Sequence, residues 1–200
     1  MDYPHETRPD ETPVEDISGL KIRSIVTQHE LNEYEAANLV DCTAKYLSKH
    51  PEERMAPFTL NWCKILHQQM LGDVWRWAGQ FRKTQTNLGL PPHQIEQAVY
   101  NLLNDLQQWK NTGMDWILQS AMLHHGAVWI HPFTNGNGRW ARLLTNIWLA
   151  QHHQPVIKWP EVNLALPGNE RDQYLVAIKA ADNGKYSHLC ELHCRYQCNE

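Results

Sequence analysis

One twelve-residue stretch holds the side chains best suited to chemistry. It reads His131-Pro-Phe-Thr-Asn-Gly-Asn-Gly-Arg-Trp-Ala-Arg142 and lies just ahead of an apolar helical run. An imidazole with an ordinary pKa of about 6.5 can accept a proton from a hydroxyl group at neutral pH. We therefore predict that His131 is a general base, and that Phe133 is a core anchor that fixes the loop.

The second half of this stretch has the composition of an anion-binding turn. Gly136, Asn137 and Gly138 lie where a helix is expected to begin, so their backbone N–H groups can converge on one anion. Arg139 and Arg142 are three residues apart on the first helical turn and project to the same side. Their guanidinium groups suit polyphosphate oxygens, and the Asn137 side chain can add a donor.

Together these features predict the transfer of a phosphorus-centred group to a hydroxyl, because positioning and charge neutralisation dominate such reactions. Each feature alone has a simpler explanation. A histidine before a loop is usually an ordinary polar residue, and Gly-Asn-Gly is usually only a turn. Two arginines at a helix N-terminus are usually solvated, but they oppose the helix dipole slightly, and this favours an anionic partner.

Apolar residues at helical spacing predict an all-α scaffold around this loop. A first helix starts near residue 30 and ends before Pro51, and a second follows Pro57 with Thr59 as its N-cap. Further helices are predicted over residues 93–110, 115–130, 139–152, 169–182 and 186–197. The helix over 139–152 is apolar around most of its circumference, which predicts a central buried helix.

Residues 80–92 break the helical periodicity. They contain β-favouring threonines, a glycine and a Pro-Pro stop. This pattern predicts a short β-hairpin flap, the one β element of the chain.

Length and charge limit the function classes. Two hundred residues suit one domain, which we assign to 21–198, preceded by a flexible N-terminal arm over 1–20 that is rich in proline and carboxylates. The net charge of −4 predicts no direct nucleic-acid partner and no anionic membrane partner. No run of eighteen apolar residues and no signal-peptide pattern is present, so we expect a cytoplasmic protein without a membrane span.

The five cysteines fit free thiols in a reducing compartment. Cys190, Cys194 and Cys198 follow each other at four-residue spacing and share one helical face, with His188 and His193 nearby. A metal site is one interpretation of this group. The favoured interpretation is a C-terminal helix that packs small apolar side chains on the body of the domain, because structural zinc sites usually pair their ligands on tight turns.

The stretch 131–142 resembles the signature of the Fic (Fic/Doc) family, His-x-Phe-x-(Asp/Glu)-Gly-Asn-Gly-Arg-x-x-Arg. The resemblance extends over about residues 20–195. Residues 73–82 resemble the family's approach to its substrate-docking flap, and 87–92 resemble the flap. The subgroup called mobile mystery protein B is resembled by residues 31–35, by Asn135 and by the stretch from Tyr174 to Asp182, which suggests a mobile element.

The resemblance implies a Fic-type helical bundle with a β-hairpin flap, and a protein adenylyltransferase that moves AMP from ATP to a Ser, Thr or Tyr hydroxyl of a target protein. His131 would be the base. The nucleotide would be held by Gly136, Asn137, Gly138, Arg139 and Arg142. The flap would align the target segment by strand addition through Thr84, Gln85, Thr86 and Asn87.

Two positions depart from the family pattern. Asn135 stands where the family has an acidic ligand of Mg²⁺, and an amide oxygen supplies no charge to that hard cation. Mg²⁺ is therefore expected to depend mostly on the nucleotide. The inhibitory sequence of many family members has no clean match, and Glu30 is the candidate inhibitory carboxylate.

These departures leave two alternatives. One is another nucleotidyltransferase or phosphotransferase on the same fold. The other is a degenerate nucleotide-binding regulatory module with an antitoxin-like or regulatory partner, although such a module needs no base. Zinc hydrolysis by His124, His125 and His131 is disfavoured, because adjacent histidines on a helix point about 100° apart.

Overall fold

A computed structural model describes residues 19–25 and 28–197 of the chain. Nearly all of the predicted flexible arm, like Cys198, lies outside the described residues. The described part is all-helical. Its eight helices are α1 (Gln28–Leu47), α2 (Leu60–Leu71), α3 (Pro92–Asn111), α4 (Trp116–Ile130), α5 (Asn137–Gln151), α6 (Glu161–Ala165), α7 (Asn169–Ala181) and α8 (Ser187–Tyr196).

Local sequence signals set most of these helix ends. The Thr59 side chain accepts a hydrogen bond from the N–H of Trp62 at 3.2 Å, so Thr59 is the N-cap of α2, as predicted. Asp115 caps α4 by accepting from the N–H groups of Ile117 and Leu118, both at 3.0 Å. The short helix α6 was not predicted, because it lies in a proline-rich segment without a helical repeat.

Helices α4 and α5 pack against each other and carry the loop between them. All but three residues of α5 are buried, including Trp140, Leu144 and Trp148. The apolar sides of α1, α2 and α3 complete this core, and the predicted stripe of α3 is buried as expected: Ile95, Val99, Leu102, Leu103 and Leu106. In the described part of the chain, no helix is both long and apolar enough to span a lipid bilayer.

A second, smaller core joins the C-terminal helices α7 and α8 to α4. The residues of α8 that it buries are Leu189, Leu192 and His193, whereas Cys194 is exposed. The predicted packing of the cysteines is therefore confirmed for Cys190, which is partly buried against this core, and wrong for Cys194. The leucines, with more apolar surface to bury, are the more deeply buried residues of the helix.

The segment 80–91 that precedes α3 does not confirm the predicted β-hairpin flap. The described residues contain no strand there, and their two β-bridges are isolated ones elsewhere, Leu20–Trp75 and Ile157–Gln197. Side chains of the segment bond to its own backbone, as when the Thr86 hydroxyl donates to the carbonyl oxygen of Leu88 at 2.6 Å. Such local bonds compete with strand pairing.

Candidate active site

His131 follows the last residue of α4 and ends that helix in the left-handed region, with φ 51°. Its ring hydrogen-bonds to the backbone of Val128. Burial lowers the pKa of His131 to about 4, and the positive charge of Arg82 acts in the same direction. The imidazole is therefore neutral at pH 7 and can accept a proton.

Arg82 is buried directly behind this histidine, with 4% of its surface exposed. Its Nε donates to the carbonyl oxygen of His131 at 2.7 Å, and its two terminal nitrogens donate to the carbonyl oxygens of Thr84 and Leu90. The planar guanidinium of Arg82 thus connects both ends of the segment 82–90 to the loop that begins at His131. Burial lowers the pKa of the guanidinium from its ordinary value.

The far end of this segment lies against His131. Gly89 has φ +84°, and a Cβ placed on it would collide with the Cβ of His131 and lie 2.8 Å from the carbonyl oxygen of Ile130. Only a residue without a side chain allows this approach. The N–H of Leu90 donates to Ile130 at 3.2 Å and fixes the contact.

His67 of α2 hydrogen-bonds to the turn before α5. Its Nε2 donates to the carbonyl oxygen of Asn135 at 3.0 Å, and its Nδ1 accepts from the N–H of Gly79 at 3.0 Å. Its ring stacks on Phe133 at 3.7 Å between centroids. Burial lowers the pKa of His67 to about 3, so the ring stays neutral with one donor and one acceptor.

The side-chain amide of Asn137 stabilises the same loop through two hydrogen bonds. Its Oδ1 accepts from the N–H of Phe133 and its Nδ2 donates to the carbonyl oxygen of Phe133, both at 2.8 Å. The side chain is buried. Its predicted use as an extra donor to an anion is therefore replaced by a structural use, although its backbone N–H still lies at the open N-terminus of α5.

Both arginines of the stretch lie over the glycine turn. A Cβ on Gly138 would lie 3.3 Å from Nη1 of Arg142, and a Cβ on Gly136 would lie 3.9 Å from Nη2 of Arg139. Gly136 has φ +75°, which places the turn in the left-handed region that favours glycine. Two positive charges, an open helix N-terminus and this turn form one anion-binding surface.

Arg139 pairs with a carboxylate from α1. Its Nη1 lies 2.8 Å from Oε2 of Glu35, whose Oε1 accepts from the indole N–H of Trp75 at 2.6 Å. Glu35 is buried, whereas a quarter of the Arg139 side chain is exposed. The ion pair thus fixes one terminal nitrogen of the guanidinium and leaves part of the side chain exposed to solvent.

Arg142 is more deeply buried than Arg139 and makes a bidentate ion pair. Its Nε and Nη2 donate to the two carboxylate oxygens of Glu161, at the start of α6, and its guanidinium carbon lies 5.9 Å from the centre of the Tyr174 ring. Burial opposes the charge of Arg142, but Glu161 and Tyr174 outweigh it, and the pKa of Arg142 is raised. The side chain of Arg142 is 9% exposed and that of Glu161 is 42% exposed.

The remaining predicted residues lie in two places. Thr84, Gln85 and Asn87 are exposed on the segment beside His131. Glu30 lies on the first turn of α1, five residues before Glu35, and its inhibitory role stays a prediction. The carboxylate that occupies Arg142 belongs to Glu161.

The donor set does not fit a magnesium ion held by the protein. The Oδ1 of Asn135, the one side-chain oxygen predicted for it, accepts a hydrogen bond from the N–H of Gly136 at 2.6 Å and carries no charge. Among the described residues, no three His, Cys, Asp or Glu side chains are grouped so that they could hold a metal ion. This applies also to the histidines of α4 and to the described cysteines of α8.

Four residues that contact the site were not predicted from the sequence: His67, Arg82, Glu35 and Glu161. His67 carried a usable signal, because it lies at helical spacing among apolar residues such as Cys63 and Met70 that face the core. No local pattern marks Arg82 or Glu161, whose partners lie 49 and 19 residues away along the chain.

Comparison with known proteins points to one family. A model described as the Fic/DOC family matches residues 57–149. The protein adenylyltransferase Fic of Drosophila grimshawi is 30% identical over 174 residues, which are 84% of this chain and 34% of that protein. Its counterpart in Drosophila mojavensis is 29% identical and is covered to 33%. The chain thus spans about a third of these curated relatives.

Solved structures show the same fold. Fic-1 of C. elegans, residues 134–508, aligns with a TM-score of 0.70 and 22% identity over 88% of this chain and 50% of that one. The BepC protein of Bartonella tribocorum, with bound AMPPNP, aligns with a TM-score of 0.68 and 18% identity over 98% of this chain and 100% of that one. A Fic domain of Bartonella quintana with bound ADP gives a TM-score of 0.65 at 19% identity, over 93% and 94% of the two chains.

Proposed function

We propose that the chain, which has the Fic fold and matches the Fic/DOC family over residues 57–149, is a protein adenylyltransferase. Its substrates would be ATP and a Ser, Thr or Tyr hydroxyl of a target protein. The names of the curated Drosophila relatives support this activity, and the site geometry supports each part of the reaction.

In the proposed reaction, the neutral imidazole of His131 takes the proton of the target hydroxyl. The hydroxyl oxygen then forms a bond to the α-phosphorus of ATP. The bond from that phosphorus to the bridging oxygen of the β-phosphate breaks, and pyrophosphate leaves with the electron pair. AMP remains on the target as a phosphodiester, and the proton on His131 returns to solvent.

The anion-binding surface over the glycine turn is suited to the nucleotide. The backbone N–H groups of Gly136, Asn137 and Gly138 would hold the α- and β-phosphates, and Arg139 and Arg142 the outer ones. The bound AMPPNP and ADP of two structural neighbours are consistent with this use. Glu161 occupies Arg142 in the structure, so a phosphate has to replace this carboxylate.

The segment 82–90 is proposed to align the target, as the flap of the family would. Thr84, Gln85 and Asn87 are exposed, and among the described residues no backbone–backbone hydrogen bond uses an N–H of residues 83–89. An extended peptide could therefore pair with this backbone next to His131, with Thr86 adding a partly exposed hydroxyl. Arg82 would hold the segment at the correct distance.

Several finer assignments are part of the same proposal. We infer one Fic domain over residues 21–198, and membership of the mobile mystery protein B subgroup from residues 31–35, Asn135 and Tyr174. A regulatory, antitoxin-like partner remains a prediction. No step of the proposed reaction passes through Mg²⁺, because Asn135 supplies neither charge nor a free oxygen.

The observation that carries the proposal is the position of His131, which is packed against Gly89 of the segment 82–90 and lies five residues before Gly136 of the glycine turn. The test incubates the protein with a cell lysate and with ATP labelled at either the α- or the γ-phosphate. Label should reach protein from the α position alone. Label that arrives from the γ position would replace the proposal with phosphoryl transfer.

Asn135 favours a second candidate, a different nucleotide donor on the same fold. A pyrimidine or guanine nucleotide would use the same turn and arginines. Running the assay with all four α-labelled nucleotides, each with Mg²⁺ or with Mn²⁺, separates the two candidates. Binding without transfer of any label would support the regulatory module instead.

A further inference from the structure

A chain of buried hydrogen bonds begins at Tyr174, whose ring lies beside the guanidinium of Arg142, and runs to α8 and back to α4. The hydroxyl of Tyr174 lies 3.0 Å from Nε2 of His124, and Nδ1 of His124 lies 3.1 Å from Nε2 of His193. Nδ1 of His193 lies 2.7 Å from Oγ of Ser120. His124, His193 and Ser120 are completely buried, and Tyr174 is 8% exposed. We refer to Tyr174, His124, His193 and Ser120 as the relay.

The two ends of the relay fix the direction of every bond in it. The single hydroxyl hydrogen of Ser120 is donated to the carbonyl oxygen of Ile117 at 2.7 Å, so Nδ1 of His193 must donate to Ser120. Burial lowers the pKa of His193 to about 3 and also lowers that of His124, so both rings are neutral. Each therefore carries its hydrogen on Nδ1 and accepts at Nε2.

It follows that His124 accepts from Tyr174, whose oxygen is left only as an acceptor beside the positive charge of Arg142. An arginine can only donate and a carbonyl oxygen can only accept, so the two ends agree. No member of the relay has to be charged or flipped to satisfy the others.

From this arrangement we propose that Tyr174 is a positioning residue for Arg142, held in place by His124 and His193. The proposal rests on the proposed function, in which Arg142 binds the outer phosphates of the nucleotide. It gives the buried histidines of α4 and α8 a use that the transfer reaction itself does not require.

The contrast between the two partners of Arg142 supports this assignment. Glu161 is 42% exposed and begins a five-residue helix, so a phosphate can replace it. Tyr174 is buried and is itself bonded to His124, so it stays. When the carboxylate leaves, Tyr174 keeps the guanidinium over Gly138, with Nη1 still facing the anion-binding turn.

The first test measures the binding of ATP and of AMP to the full chain and to Tyr174→Phe. The change removes one hydroxyl and keeps the ring. ATP binding should weaken about tenfold, the effect expected when a polar group beside a buried charge is removed, while AMP binding changes less than about twofold. Because binding is measured, the result does not depend on transfer.

Tyr46→Phe is the matched control. Tyr46 is also buried, and its hydroxyl bonds to Gln69 at 2.9 Å and to the indole N–H of Trp62 at 3.3 Å, at a site formed by α1 and α2. It should lose a comparable amount of stability and keep the ATP-to-AMP affinity ratio. An unchanged ratio in Tyr174→Phe, or a wild type that binds ATP no better than AMP, overturns the proposal.

A second measurement needs no variant. Nitrogen chemical shifts from NMR report which ring nitrogen carries the hydrogen, and His124 and His193 should both carry it on Nδ1. A hydrogen on Nε2 of either ring overturns the proposal. A wild type that transfers no AMP, yet loses its preference for ATP over AMP on Tyr174→Phe, contradicts the adenylyltransferase and leaves the positioning role standing.

Discussion

The Nε of Arg82 donates a hydrogen bond to the carbonyl oxygen of His131 at 2.7 Å. This one contact links the segment proposed to dock the target with the residue proposed to activate it. Burial keeps the imidazole neutral, and the positive charge of the same guanidinium lowers the pKa of His131 further.

Arg82→Gln should therefore change two properties together. Without the guanidinium, residues 82–90 lose the hydrogen bonds that hold them against His131, and the rate of AMP transfer should fall about tenfold to hundredfold. Without the nearby charge, the pKa of His131 should rise from about 4 toward its ordinary value. NMR titration of the ring and the rate of AMP transfer measure the two effects. Lys185→Gln, which removes an exposed charge between α7 and α8, should change neither.

Gly89→Ala tests the contact between the same segment and His131. Both Gly89 and Gly113 have positive φ, +84° and +70°, but only at Gly89 would a new methyl group collide with neighbours. Both alanine variants should lose about 1 kcal/mol or more of stability from backbone strain. Only Gly89→Ala should slow AMP transfer as well. Equal rates in the two variants would contradict close packing of the segment on His131.

Glu161→Gln addresses the carboxylate that occupies Arg142. The amide can still accept a hydrogen bond but has no charge to compete with a phosphate. We expect ATP to bind several-fold more tightly and transfer to become faster. Glu191→Gln, an exposed change on α8, serves as the control. Weaker ATP binding in Glu161→Gln would mean that Glu161 supports the nucleotide site instead of blocking it.

The free energy of unfolding should fall as the pH decreases. His67, His124 and His193 are fully buried with lowered pKa values, about 3 for His67 and His193. In the unfolded chain they bind protons below about pH 6.5, which the folded state does not, so protonation favours unfolding. From pH 7.5 to pH 5.5 these three histidines should account for a loss of about 4 kcal/mol, and His131, with its pKa lowered to about 4, should add to it. Denaturant titrations at the two values measure it.

His93→Gln is the comparison for this experiment, because His93 is exposed and should leave the pH dependence unchanged. A free energy of unfolding that is constant over this range would contradict the neutral, buried state of the three histidines. It would also remove the basis for the hydrogen positions in the relay.

The helical repeat and the stretch 131–142 made much of the molecule predictable. The N-cap at Thr59 and the buried stripe of α3 depend on local sequence, and both were found as predicted. The β-hairpin was not, because β-favouring residues such as Thr86 bond to their own backbone here. Sequence patterns report β-propensity, whereas strand formation depends on a partner.

The rest of the site depends on tertiary contacts. Arg82, His67 and Glu161 act through residues far away in the chain, and no spacing rule relates them to His131 or Arg142. The same holds for the relay, in which α4, α7 and α8 each supply part of one hydrogen-bonded chain. Tyr174 was named in the sequence analysis only for the subgroup resemblance, and His124 and His193 only as disfavoured metal ligands.

The most direct test of the central claim compares the wild type with His131→Ala in the α-labelled ATP assay, with ATP binding measured in parallel. The wild type should label protein. His131→Ala should lower the rate at least about a hundredfold, because the proton acceptor is lost, and should bind ATP as before. Equal labelling by the two proteins would contradict the assignment of His131 as the base of an adenylyltransferase.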